Sequence, residues 1–307
     1  GAAKKQAAAE QAETRKVESP YAAIANGKVD VEGGIIQVAA RRGGIVREVL
    51  VQEGDRVAAG QVLARQEDDE ARLAVQSAQA QLAQAQSQLA NIQVDISTAQ
   101  REYNRLERLV ATNFVAAQRM DQARDAIASA RARLGSQQAA IQTARAQAAQ
   151  AAYNLELTII RAPMSGRIVR RYANPGAGAS TLNVSNMFDL EPDAPRIARA
   201  EIVESDIPNI TVGQAVEITP EGDPTKIYVG EVMRRAAVFG ARKLTSDDPS
   251  QRSDERVIEV VVSAGDAPLL IGQRVLVKFM KPGETAGAAR APSIGVPADR
   301  AMRAPAR

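Results

Sequence analysis

Between residues 69 and 156 the apolar positions fall into two regular series separated by one interruption. Val75, Leu82, Leu89, Ile96, Tyr103 and Val110 recur every seven residues, and Ala78, Ala85, Ile92, Ala99 and Leu106 follow the first five at a spacing of three. After the interruption Met120, Ile127, Leu134, Ile141, Ala148 and Leu155 repeat the same period. Most other positions are Gln, Arg, Asp, Glu, Ser or Ala. A sustained seven-residue period with a polar remainder specifies a coiled-coil seam, whereas a helix in an ordinary bundle shows a wider apolar face. The interruption, Thr112 to Ala116, lies midway between the two series. The pattern therefore predicts an antiparallel hairpin. Folding it at Val115 sets Val110 level with Met120, Tyr103 with Ile127, Ile96 with Leu134 and Leu89 with Ile141. The companion row then puts Ile92 opposite Gln137, whose amide is expected to reach solvent. Arms of roughly 40 to 45 residues span about 60 to 68 Å at 1.5 Å per residue.

On either side the texture is that of short strands. Ile35 to Val38, Gly44 to Val46 and Val49 to Val51 are apolar runs punctuated by Glu53-Gly54-Asp55 and Gly60. Beyond the hairpin come Leu157 to Ile160, then Gly166 to Val169, then a turn at Pro175 to Gly178. Alternating runs at Ala198–Val203, Ala215–Thr219, Ile227–Met233, Arg256–Val262 and Gln273–Phe279 predict a small β-barrel. Ser246 to Asp254 reads as a mobile loop. The stretch after Pro282, rich in Gly, Ala, Pro and Arg, reads as a disordered tail.

Composition narrows the chemistry. The chain holds neither Cys nor His, which removes thiolate nucleophiles, disulfides, the commonest general base and the commonest zinc ligand. Net charge is +3 and Arg alternates with Glu and Asp along the helices, with no basic stripe interleaved with aromatics, so no nucleic-acid partner is expected. No run of about 18 apolar residues exists that would span a bilayer. The densest acidic group, Glu67-Asp68-Asp69-Glu70, sits where a helix begins, and interaction with the helix dipole accounts for it without catalysis or metal binding.

The β segments flanking the hairpin read as two halves of one domain. The first runs Arg41-Arg42-Gly43-Gly44-Ile45-Val46, Val51-Gln52-Glu53-Gly54-Asp55-Arg56-Val57 and Gly60-Gln61-Val62-Leu63-Ala64. The second runs Ile160-Arg161-Ala162-Pro163-Met164-Ser165-Gly166-Arg167-Ile168-Val169 and Asn174-Pro175-Gly176. These are similar to the half-motifs of a biotinyl/lipoyl-like domain, and such a domain split by a helical hairpin resembles the haemolysin-D-like periplasmic adaptors, or membrane fusion proteins. Ala200 to Ile207 and Val212 to Ile218 resemble that family's β-barrel. Arg256 to Val260 and Leu270 to Val275 look closest to the adaptors of ABC-type exporters.

The resemblance implies an α+β fold, mostly β with a long α-hairpin: an antiparallel coiled coil inserted in a split biotinyl/lipoyl-like β-sandwich, followed by a small β-barrel. The expected divisions are a flexible N-terminal segment with a possible strand (1–34), the first lipoyl-like half (35–68), the hairpin (69–156), the second half (157–190), the barrel (191–281) and the disordered tail (282–307). The function implied is bridging an inner-membrane transporter of ABC or RND type to an outer-membrane channel, as a hexamer, without enzymatic activity or cofactor. The location implied is the periplasm, with an inner-membrane anchor absent from this chain. The family's hairpin tip carries an Arg, a Leu four residues later and a Ser seven residues after that. Arg105 and Leu109 match, while Ala116 replaces the hydroxyl. With Asn113, Phe114 and Val115 they make the expected docking tip. Phe114 has two readings: contact with a channel, or a cap folded onto Val110 or Met120.

Two alternatives stand beside this one. A swinging carrier would need an exposed Lys in the turn between the half-motifs, and the chain has no Lys from Val29 through Thr225. A purely structural rod would not need its base closed by a β domain.

Overall fold

A computed structural model of the chain describes residues 19–112, 114–179, 186–244 and 255–288. The expected mobile loop, all but the first seven residues of the expected tail, Asn113 and the Phe114 side chain lie outside them. The chain divides into two compact units, Ile36–Glu191 and the remainder. The second unit begins with β1 (Tyr21–Val31).

The unit Ile36–Glu191 takes β2 (Ile36–Ala39), β3 (Gly44–Val49), β4 (Arg56–Val57) and β5 (Val62–Gln66) from before the helices. From after them it takes β6 (Ile159–Arg161), β7 (Gly166–Arg171), β8 (Gly178–Ala179) and β9 (Asn186–Pro192). They form two four-stranded sheets, ordered β2-β9-β7-β4 and β6-β5-β3-β8. Both sheets mix the halves: Arg56 pairs with Arg167, Ala64 with Ile160 and Gly44 with Ala179. Neither half can close a core alone, because Leu63 and Val46 from the first pack in one buried cluster with Ile160, Ile168, Phe188 and Leu190 from the second. The two half-motifs are one lipoyl-like sandwich.

Between β5 and β6 the chain runs out along α1 (Asp69–Leu109) and back along α2 (Phe114–Glu156). The buried or half-buried positions keep the heptad rows. On α1 they include Ala71, Val75, Ala78, Leu82, Ala85, Leu89, Ile92, Ile96, Ala99, Tyr103, Leu106 and Val110. On α2 they include Ala116, Met120, Ala123, Ile127, Ala130, Leu134, Gln137, Ile141, Ala144, Ala148, Ala151 and Leu155.

Leu106 and Ala123 share a cluster as their expected level has it, while other contacts across the seam fit levels about one helical turn away. Leu106 packs with Ala116 and Ala123, beside Tyr103 and Met120. Gln137 is half-buried, and its Nε2 turns across the seam to donate to the Ala85 carbonyl at 2.8 Å. A register with Leu106 opposite Met120, Tyr103 opposite Ala123, Leu89 opposite Gln137 and Ala85 opposite Ile141 accounts for these contacts. The physical reason is volume. The expected levels set large on large, Tyr103 on Ile127 and Leu89 on Ile141, and left Ala99 facing Ala130. The register one turn away sets Tyr103 against Ala123, Ile96 against Ala130 and Leu82 against Ala144, so at these levels a large side chain meets a small one.

The second unit is a closed barrel. Its later strands are β10 (Arg196–Val203), β11 (Ala215–Pro220), β12 (Tyr228–Arg235), β13 (Gly240–Ala241), β14 (Arg256–Gly265) and β15 (Arg274–Met280). The order β10-β1-β15-β11-β12-β14 is closed by a pairing of β10 with β14, and β13 adds a short ladder to β14. A short 3-10 helix, Glu204–Asn209, follows β10. Alternating inward residues such as Ala198, Val216, Ile218, Val260, Val277 and Phe279 fill the interior. Ahead of the register shift between β12 and β14, a Cβ on Gly230 would come 1.9 Å from the Ser263 carbonyl oxygen, so this close approach of two strands requires glycine.

Two expected boundaries change. The possible strand expected within the flexible segment 1–34 is Tyr21–Val31, and it is a full stave of the barrel, paired with both β10 and β15. Residues 282–288, assigned to the disordered tail, lie against the barrel: the Gly287 amide donates to Glu217 at 3.0 Å.

Candidate functional site: the hairpin tip

α1 reaches the tip with charges on its outer positions and ends within one turn. The Thr112 amide and hydroxyl both donate to the Leu109 carbonyl, at 3.1 and 3.2 Å, satisfying an acceptor that the helix end would leave open. Arg108 in the last turn meets the negative end of the helix dipole. The chain has reversed by the time α2 begins at Phe114.

Beneath this turn lies a small closed cluster of Leu106, Ala116 and Ala123, with Tyr103 and Met120 at its margin. Ala116 is only 3% exposed, because it continues the Ala123 and Ala130 row by one more heptad step. It was expected on the docking face. The structure places it in the seam instead, where it fixes the end of the rod and offers no surface. Leu109 and Val115 are different: they are 45% and 54% exposed on the outside of the tip. Arg105 is exposed and forms a two-pronged pair with Glu102, Nε and Nη2 donating at 3.1 and 2.7 Å. That hydrogen bond holds the Glu102 carboxyl below its ordinary pKa. One turn further down, the Arg124 guanidinium lies 5.8 Å from the Tyr103 ring centroid and links the helices across the seam edge. The tip thus presents exposed aliphatic side chains ringed by oriented charges on a closed apolar plug.

The base of the hairpin is fastened ionically, a feature that sequence reasoning missed. Arg47 of β3 donates to Asp68 at 2.9 Å and to Asp69 at 3.0 Å, and Arg72 donates to Asp68 at 2.5 Å. On the return arm Arg161 donates to Glu156 at 2.5 Å. These hydrogen bonds hold the Asp68 and Glu156 carboxyls below their ordinary range. Two of the four acids of the Glu67–Glu70 group are therefore occupied as anchors of α1. Gln66 is 1% exposed beneath them and donates to the Arg42 carbonyl at 3.0 Å. No sequence spacing announces this network, because Arg47 and Asp68 meet only when β3 pairs with β5.

A long two-helix rod spliced into a split lipoyl-like sandwich, in a chain that also folds a six-stranded barrel, defines a hairpin-bearing fold class. Comparison with known proteins agrees. Residues 81–151 match the family described as RND MFP, alpha-helical hairpin domain. The multidrug export protein EmrA of Escherichia coli K12 is 30% identical over 265 residues, covering 75% of this chain and 67% of EmrA. The macrolide export protein MacA of Escherichia coli O157:H7 is 26% identical over 210 residues, covering 68% of this chain and 56% of MacA. The crystal structure of MacA from Actinobacillus actinomycetemcomitans superposes with a TM-score of 0.71 at 20% identity, over 84% of this chain and 78% of that one. The chain belongs to the membrane fusion protein family. It spans little more than half the length of the macrolide export proteins it matches.

Proposed function

We propose that the protein is the periplasmic adaptor of a tripartite export system, bridging an inner-membrane transporter of ABC or RND type to an outer-membrane channel. The observation that carries this reading is the rod and its end. Helices of 41 and 43 residues give an arm of about 60 Å at 1.5 Å per residue, and the arm ends in exposed Leu109 and Val115 over a sealed plug. Aliphatic side chains held at the far end of a rod suit a contact surface. The relatives named for macrolide and multidrug export support the same reading.

In this proposal the protein's activity is assembly. Arg105, Leu109 and Val115 meet the channel, Asn113 and Phe114 complete the tip, and Ala116 supports it from below. Six copies around an axis place the sandwiches in a ring with the hairpins projecting toward the channel, and substrate choice lies with the transporter. No cofactor takes part. Affinity capture from native envelopes tests the proposal: recovery of both a transporter and an outer-membrane channel is the expected result. Repeated capture of neither, with the protein folded and membrane-associated, would refute it.

A further inference from the structure

The outer face of β11 carries a carboxylate that is not solvated. Val216 and Ile218 point into the barrel core, so Glu217 between them points outward, where a charged group is ordinarily in water. Its exposure is nevertheless 0%. Two groups reach it from opposite ends of the barrel sequence. The Tyr21 hydroxyl, at the start of the first stave, donates to Oε2 at 2.8 Å. The Gly287 amide, seven residues past the last stave, donates to Oε1 at 3.0 Å. A buried carboxylate is tolerated only when such donors satisfy it.

Three further contacts surround this meeting point. Lys278, the cross-strand partner of Glu217, holds its ammonium 5.1 Å from the centroid of the Tyr21 ring. The Lys281 amide donates to the Pro20 carbonyl at 2.9 Å, tying the same two segments together once more. Gly287 has φ +75°, and a Cβ there would lie 2.9 Å from Val229 Cγ2 on β12, so the segment fits only because residue 287 is glycine. Thr219, two residues along the same outer face, is 4% exposed.

We propose that Glu217 is a clasp. Its carboxylate fastens the incoming segment at Tyr21 and the outgoing segment at Gly287 to one stave, so that both leave the barrel as a pair with a fixed direction. While the clasp is closed, 20–22 and 283–288 are held to the barrel as one body; when it opens, both are released together. Glu217 is on this account a positioning residue. The inference does not rest on the adaptor reading, since it concerns contacts within one unit of the chain.

Hydrogen exchange of the full-length chain, read by mass spectrometry, tests it. In the wild type the amides of 283–288 should exchange at least tenfold more slowly than an unstructured peptide of that sequence. Glu217→Ala should erase this protection and speed exchange at 21 and 22, while amides of β14 and of α1 keep theirs. Tyr21→Phe removes one donor without a buried vacancy and should raise exchange at 283–288 by a smaller factor, which keeps the test decisive if Glu217→Ala fails to fold. A wild-type Gly287 amide exchanging at the unstructured rate, or 283–288 unchanged in both variants, would overturn the proposal.

Discussion

Truncating Leu106 tests the structural basis of the tip. Its side chain is 3% exposed and touches Ala116 and Ala123, which have no further atoms to extend into the space it fills. Leu106→Ala removes three buried carbons, worth about 0.8 kcal/mol each, or about 2.4 kcal/mol before any cavity contribution. Inward movement of Tyr103 and Met120 lowers the net loss, so about 1.5 to 2.5 kcal/mol is expected. The unit that opens is the tip, so the effect belongs to local opening and not to the barrel. Amide exchange at 100–109 and 116–124 should accelerate roughly 10- to 60-fold, at about 1.4 kcal/mol per decade. Leu109→Ala, one helical turn away but 45% exposed, should change the same amides by less than about threefold. Equal effects of the two substitutions, or less than a threefold change for Leu106→Ala, would refute the sealed plug and with it the division of the tip into a supporting and a presenting face.

Four other outcomes follow from the same geometry. Because the chain has no Cys, engineered pairs report the hairpin register directly: Ala85→Cys with Ile141→Cys should oxidise at least about tenfold faster than Leu89→Cys with Ile141→Cys, and the reverse order would restore the originally expected levels. Leu109→Asp and Arg105→Glu should leave the melting temperature almost unchanged, as surface substitutions do, yet weaken channel capture and export. Phe114→Ser separates its two readings, since a cap lowers hairpin melting and a docking residue lowers capture alone. At the hairpin base, Asp68 and Glu156 have folded pKa values below the ordinary 3.8 and 4.5. Their ion pairs therefore contribute fully above those ordinary values and are lost as pH falls through the lower folded values, so protection of the first turn of α1 should decline in acid, and Asp68→Asn should flatten that decline.

The hairpin was legible in the sequence because a seven-residue period repeats without a break on both sides of Thr112–Ala116. Its register was not, since two alignments one turn apart use the same rows; the choice between them lies in which Ala faces which Leu or Ile. The split sandwich was legible from the order of Gly-bounded runs around the hairpin. The first barrel stave was not, because its inward positions include Ala23, Ala25 and Gly27, which bury in the core but give almost no hydrophobic signal. Arg105 and Leu109 were found by spacing, whereas the burial of Ala116 becomes visible only once its row is extended past Ala123. Glu217 reads as an ordinary outward residue of an alternating strand, and nothing local to it announces the segment that covers it 70 residues later.

The central claim is that this rod docks by its tip, and site-specific photo-cross-linking in native envelopes tests it most directly. A photoreactive side chain is placed in turn at Leu109, at Val115 and, as a control, at Leu73, which is 65% exposed near the base of α1. The account predicts adducts with an outer-membrane channel from Leu109 and Val115 and none with that channel from Leu73. Channel adducts from Leu73 and none from either tip position would contradict it.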